Sequence, residues 1–599
     1  MGSFFHVLQA NKSSQRPTNW VVFDCEANIA EDDNGAQTHT LRLGCAKYRR
    51  AARSHGRAIV EDYDFSTVAG FWDHTLACAE PDRRLVLFGY NVGYDLRMVE
   101  SFSHLRKLGY EQNRIYVGGR VVIIGWKRDK HTILAIDACN YFDGRLEEWG
   151  ERLGLAKGQV DFRTATDEEL RPYCRRDVDI LDTLLLQWWA FIDKHDLGCF
   201  SPTKSSQSMN AYRHRFMPCK IYIHANARAS KIERAAYFGG RVECFHIGDL
   251  RKGPYYKLDV NSMYPHVMRK EPMPVRFKSI AVQLDVPTLR RLVKRYAVCG
   301  AFRVQTDEAA YAYRYGKDLI YPVGSFIAHL STPEVVYGLK RGHILKGLRV
   351  AIYDKAVLFR KYVDYFYRLR RRYADRGDKT FYTMVKYFML SLYGKFGQWS
   401  EEWKPGLNLY DDCDGLHSEF EGDPPEMVRF VVINGVRWDI QERREAYHAF
   451  PAIAAHVTAA ARIYLWTLIR LAGKGHIFYC DTDSLVVTVL GRRRLRAYLD
   501  EGKLGMLKCE YKTKRVVIRA PKDYATDTED KHKGVKADAV EIRPGVYRQM
   551  QWQTLHGAIM AGHPDEVHLR PVVKILARQY RKGIVHSSGS VSPIVLGAD

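Results

Sequence analysis

The sequence predicts a multidomain protein of mixed α/β and α+β class, and three observations carry that expectation. A chain of 599 residues is longer than one hydrophobic core serves, so it should divide into several domains. From Trp20 to about Leu186, apolar strand-like runs alternate with helical stretches, the rhythm of a compact α/β unit. Farther on, two strand-like runs far apart in sequence, 255–260 and 476–480, bracket a pair of helical segments.

In order along the chain, WVVF at 20–23, LVLFGY at 85–90 and RVVIIGW at 120–126 are the strand candidates of the first unit. Residues 166–195 read as one long helix, with Thr166 and Glu169 at capping-box spacing. The turn-rich 196–206 is the best domain boundary. A helical hairpin is expected over 353–373 and 379–393, joined by ADRGD at 374–378. The Pro- and acid-rich 401–427 reads as an irregular insertion, and 451–465 as a helix of small residues carrying a structural Arg462. The tail after about 540 is basic, without clear periodicity.

Ninety-two basic against sixty-nine acidic residues leave a net charge of +23. Such a surplus favours a polyanionic partner, nucleic acid first, because neutralised phosphates release counterions. The twelve cysteines form no CxxC pair, which argues against a zinc ribbon and a disulfide framework and for reduced thiols. Residues 1–17 lack the apolar core of a signal peptide. No apolar run is expected to span a bilayer, so a soluble, intracellular protein without a membrane partner is expected.

Two sets of acidic residues carry chemistry. Asp24 and Glu26 stand two apart on a strand and leave the same face. Asp95 follows a second strand at the entry to a helix, and Tyr173 and Asp177 share one face of the long helix. Crowded carboxylates repel unless a cation lies between them, which suits two-metal phosphodiester hydrolysis. In order and spacing these segments resemble the three motifs of the DEDD-type proofreading exonucleases. The resemblance implies that Asp24, Glu26, Asp95 and Asp177 hold metal and that Tyr173 orients the attacking water. It further implies that Asn91 and Tyr94 hold a single-stranded 3′ end and that Lys157 sits near the scissile phosphate.

The second set begins at Asp259, in DVNSMYP at 259–265, and ends at YCDTDS, 479–484, where Asp481 and Asp483 flank the tip of a predicted hairpin. These segments resemble motifs A and C of family B DNA polymerases, and KYFMLSLYG at 386–394 resembles their motif B. The resemblance implies nucleotidyl transfer with two Mg²⁺ ions per site (Mn²⁺ as an alternative) held by Asp259 and Asp483, with Asp481 close by. Tyr264 would select deoxynucleotides, Lys386 and Arg370 would bind the triphosphate, and Tyr393 would pack near the nascent pair. Ser262 belongs to the same DNA-facing motif. Leu390 departs from the family, which has Asn there; an apolar side chain cannot make that residue's hydrogen bonds. YFGG at 237–240 (Tyr237, Gly239, Gly240) resembles the family's YxGG motif, and Lys522 and Tyr524 its primer-holding KxY.

From these motifs follows an RNase H-like 3′→5′ exonuclease domain (1–200) before a right-hand polymerase. Its parts would be palm (201–270 and 446–540), fingers (346–398), thumb (541–599) and two insertions (271–345 and 399–445). No large domain is expected before Asp24. The insertions resemble the terminal-protein regions of the protein-primed branch found in small phages, linear plasmids and organellar elements. Template and primer DNA, dNTPs and a terminal protein are the implied partners of a monomer that displaces strands as it copies. The alternatives are a DNA-primed family B polymerase without a terminal protein, a nuclease whose polymerase half only binds DNA, and a non-enzymatic DNA-binding remnant.

Overall fold

The computed structural model describes residues 5–52, 57–162, 164–400, 403–409, 413–422, 424–441 and 443–597. Its N-terminal part is built on a ten-stranded mixed sheet. The central strand Asn19–Glu31 pairs antiparallel with Gln37–Arg50 and parallel with Leu85–Gly89, which runs parallel to His131–Asp137. Parallel strands covered on both faces must be apolar throughout, and residues 85–89 are buried without exception. The long helix Asp167–Lys194 packs across Asn19–Glu31 and Gln37–Arg50. The Thr166 hydroxyl accepts from the Glu169 N–H, and the Glu169 carboxylate accepts from the Thr166 N–H, so the capping box starts this helix as the sequence predicts.

The second body holds a five-stranded sheet in the order Val242–Cys244, Ile477–Asp481, Ser484–Thr488, Tyr255–Val260, Leu507–Thr513. Strands distant in sequence thus lie side by side. Pro451–Ala472 packs among the helices Ala227–Ala236, Met263–Lys270, Thr332–Arg341 and Lys379–Phe396. The expectation that no apolar run could span a bilayer is corrected here: this helix is long and apolar enough, with a mean hydropathy of 1.4 over its best window. Its alanines bring neighbouring helices close, and 83% of that window is buried inside the protein.

Residues 271–345 fold into regular structure. Met273–Leu284, Ile344–Ala356, Ala297–Thr306 and Val323–Ser331 are consecutive in a seven-stranded sheet that also takes in Phe5–Leu8 and Ile221–His224. This corrects the start of the predicted hairpin. Residue 353 is still in a strand paired on both sides, and the first helix is Arg360–Asp375. Local periodicity could not see that the backbone of 344–356 is satisfied by distant strands. The second helix, Lys379–Phe396, returns antiparallel, with the Phe366 and Phe388 rings stacked at 4.7 Å.

Residues 401–427 are corrected as well. Apart from 401–402, 410–412 and 423, which lie outside the described residues, the segment forms, together with 428–440, a four-stranded antiparallel sheet in the order Trp403–Leu409, Val436–Ile440, Glu426–Ile433, Gly415–Glu421. Exposed apolar residues such as Phe420 and Met427 put hydrophobicity out of phase with burial, which masks the alternation. The tail without visible periodicity is also β-structure. Val546–Trp552 and Val567–Ile575 form a ribbon that joins the ten-stranded sheet at Gln37–His39, in the register Gln37↔Leu569 to His39↔Val567.

Candidate active sites: two carboxylate clusters

The first cluster lies where the Asn19–Glu31 strand meets two helices. Asp24 and Glu26 emerge from one face of that strand, Asp95 stands in the first turn of Val92–Met98, and Asp177 projects from the long helix. Asn91 caps the short helix in a left-handed conformation (φ 71°), and its N–H donates to Asp137 Oδ1 at 3.0 Å. Burial, then the charges of Asp177, Asp95 and Glu26, hold the Asp24 carboxyl well above the usual range. Burial and Asp177 push Glu26 up to about 7, and burial with Asp137 raises Asp95. The Asp177 carboxyl is raised by burial although Lys157 donates to it. Lys157 Nζ also sits 4.4 Å from the centre of the Tyr173 ring. Asp95 Oδ2 and Asp177 Oδ1 are buried with no hydrogen-bond partner, a state that costs free energy unless a cation or water meets them.

The structure therefore brings Asp24, Glu26, Asp95, Asp177, Tyr173 and Lys157 to one place. Tyr94 turns toward the C-terminal ribbon: its hydroxyl shares a hydrogen bond with His39 Nδ1 at 3.0 Å, and its ring meets Trp552 edge-on at 5.5 Å. Asn91, Tyr94 and Trp552 line a cavity of about 490 Å³ beside the cluster. Two residues of this region escape sequence reasoning. Asp137 presses on Asp95 from the neighbouring strand. Cys174 Sγ donates to the Asp24 carbonyl oxygen at 3.3 Å; its position three residues before Asp177 was the available signal.

The second cluster sits at the end of the five-stranded sheet. Asp259 pairs across to Ser484 on one side and Lys508 on the other. The hairpin turns at Thr482 (φ 59°), whose N–H donates to the Arg241 carbonyl at 2.7 Å, and this holds Asp481 and Asp483 beside Asp259. A cavity of about 360 Å³ is lined by Asp259, Asp481, Asp483, Glu510, Lys522 and Tyr524. Burial, then Asp259 and Asp481, push the Asp483 carboxyl up to about 7. Burial raises Asp259 too, although Lys508 lies 3.5 Å away. Glu510, unforeseen, faces Lys257 at 3.2 Å and Lys508 at 3.6 Å; only the pairing of Leu507–Thr513 with Tyr255–Val260 reveals it. Lys522 takes a left-handed conformation (φ 64°), donates its N–H to the Tyr479 hydroxyl at 3.0 Å, and sets its Nζ 3.9 Å from Asp481.

Beyond this cavity lies the helical hairpin. The Tyr264 and Tyr393 rings stack at 4.9 Å, and Arg370 donates to the Ser262 hydroxyl at 2.9 Å and to the Tyr382 hydroxyl. Lys386 and Leu390 are exposed on the same helix as Tyr393, Leu390 by 38%. Gly240 is a close approach: a Cβ there would stand 2.9 Å from Thr482 and 3.0 Å from the Tyr264 hydroxyl, whereas Gly239 faces open space. Tyr237 covers Gly397. Arg462, buried, donates to the carbonyls of Phe238 (2.8 Å) and Gly239 (3.0 Å) and to Glu334 (2.8 Å), tying the glycine segment to the core.

Residues 157–406 match the family model described as DNA polymerase type B, organellar and viral. A probable DNA polymerase of Neurospora intermedia is 23% identical over 427 residues, covering 67% of this chain and 42% of that protein. The DNA-directed DNA polymerase of Enterobacteria phage PRD1 is 28% identical over 296 residues, covering 49% of each. The chain thus spans about half or less of the length of these curated relatives. The Phi29 DNA polymerase, solved with primer-template DNA and incoming nucleotide substrates, superposes with a TM-score of 0.65 at 15% identity, over 94% of this chain and 100% of that one. In its binary complex with primer-template DNA the TM-score is 0.64. The fold is that of the Phi29 DNA polymerase.

Proposed function

We propose that this chain, whose residues 157–406 match the organellar and viral type of family B DNA polymerase, is a DNA-directed DNA polymerase of that kind with a separate 3′→5′ proofreading exonuclease. The observation that carries the reading is the pairing of two carboxylate clusters on two different sheets, each with carboxyls raised by burial and mutual repulsion. Such clusters fit divalent cations, Mg²⁺ above all, through oxygen donors. Asp259 and Asp483 would hold them in one site, and Asp24, Glu26, Asp95 and Asp177 in the other. When bound, the ions supply charge for the attacking and leaving oxygens of an in-line displacement.

The chain's own groups do the rest. In the polymerising site Lys522 and Tyr524 flank Asp481 and would hold the primer end. Arg370 and Lys386 would meet the triphosphate, and the stacked pair Tyr264–Tyr393 would form the floor under the sugar and base. In the hydrolytic site Lys157 donates to Asp177 and offsets part of the effect of its burial, and Tyr173, under its ammonium, would orient water. Asn91 and Tyr94 would receive the frayed 3′ strand in the adjoining cavity. Asp259→Ala or Asp483→Ala should abolish dNTP incorporation and leave single-strand degradation intact; Asp24→Ala with Glu26→Ala should do the converse. Loss of both activities from either change, in a folded protein, would refute two independent sites.

Protein-primed initiation with strand displacement is the preferred mode, supported by the folded segments at 271–345 and 399–445 and by the match of residues 157–406 to the organellar and viral type. Incubation with labelled dNTP and a candidate terminal protein should label that protein covalently through a hydroxyl side chain. Label confined to DNA would favour the DNA-primed alternative.

A further inference from the structure

Cys174 is the side chain of the hydrolytic cluster to which the proposed nuclease chemistry gives no task. It lies on the long helix three residues before Asp177, hence on the same face, and is fully buried. Its Sγ, one carboxylate oxygen of Asp24 and one of Glu26 all lie within 4.8 Å of one another. A second observation points to a ligand. Asp95 Oδ2 and Asp177 Oδ1 have no hydrogen-bond partner, on residues only 2% and 6% exposed, and both charges act on Asp24. The polymerising cluster offers oxygen only: Cys480 adjoins Asp481, but strand alternation turns it to the opposite face, where it is buried.

We propose that Asp24, Glu26 and Cys174 form a mixed oxygen–sulfur site for a thiophilic divalent cation, with Zn²⁺ the biological candidate. Hard Mg²⁺ has no use for the sulfur, whereas Zn²⁺ takes thiolate and carboxylate together. On binding, the Cys174 S–H bond breaks, a sulfur–metal bond forms and its proton leaves for solvent, together with any proton still held by the Asp24 and Glu26 carboxyls; the hydrogen bond to the Asp24 carbonyl is lost. The functional consequence rests on the nuclease reading: Zn²⁺ would silence degradation while sparing polymerisation, which lowers proofreading without touching synthesis.

Cd²⁺ serves as the spectroscopic probe. Titrated into the metal-free, reduced full chain without DNA, it should raise an ultraviolet thiolate-to-cadmium charge-transfer band that saturates at one equivalent with at least one proton released. Cys174→Ser and Cys174→Ala should lose the band and bind at least about tenfold more weakly, while Cys45→Ser should keep it. Circular dichroism identifies which variants are folded. Absence of the band in the parent, its persistence in a folded Cys174 variant, or its loss from folded Cys45→Ser would each overturn the proposal. In the activity arm, Zn²⁺ added to Mg²⁺-supported reactions should inhibit single-strand degradation by the parent and not by Cys174→Ser. A band without any Mg²⁺-supported degradation sinks the nuclease reading and leaves the cation site standing. Degradation without a band sinks the cation site alone.

Discussion

Replacing Asp483 by Asn should make the metal-free protein more stable while destroying synthesis. In the folded chain its carboxyl is pushed from an ordinary 3.8 up to about 7, by burial first and then by Asp259 and Asp481. The sign follows from linkage. A carboxyl whose folded value lies above its unfolded one carries no penalty below about pH 4. The penalty grows as pH rises between the two values and is complete above about 7. Across that interval, keeping the group ionised costs about 4 kcal/mol, an upper bound because neighbours relax. Asn keeps the shape and removes the charge. Urea unfolding in chelator at pH 8.5 should therefore show a gain of about 2–4 kcal/mol for Asp483→Asn, shrinking toward zero at pH 4. Saturating Mg²⁺ should stabilise the parent far more than the variant. A gain equal at both pH values, or a loss at pH 8.5, would refute the idea that carboxylate repulsion strains this site.

Arg462→Met removes the buried partner of Glu334 and should cost roughly 3–5 kcal/mol by urea unfolding; adding Glu334→Leu should recover much of it. Lys157→Met removes a charged hydrogen bond to Asp177, worth roughly 1.5–3 kcal/mol, so single-strand degradation should slow about tenfold to a hundredfold with polymerisation unchanged. Leu390→Asn should alter KM for dNTP more than kcat, and an unaltered KM would place residue 390 outside the nucleotide pocket.

The elements legible in the sequence were those whose signals are local. The capping box at Thr166 and Glu169 announced the long helix, and the two-residue spacing of Asp24 and Glu26 placed both on one strand face. The Asp481–Asp483 hairpin declared itself through an apolar run broken by acids. What stayed hidden depends on partners far away. Residues 344–356 are a strand because Met273–Leu284 and Ala297–Thr306 flank them. Glu510 reaches the cavity at Asp259 and Asp483 only through the pairing of Leu507–Thr513 with the Asp259 strand. Burial was equally invisible: Pro451–Ala472 has the composition of a membrane span, and only its neighbours show why. The crowding at Gly240 comes from Thr482 and Tyr264, contacts that no spacing rule supplies.

The ribbon that docks Val567–Leu569 against Gln37–His39 bears on how the chain is made. A ribosome delivers the first sheet early, yet that edge stays open until residues 567–569 have emerged. An open edge is a template for wrong partners, and closing it across such a span is slow. The nascent protein should therefore need shielding at residues 37–39, and a prematurely terminated product should clump through its N-terminal sheet while the five-stranded sheet is intact.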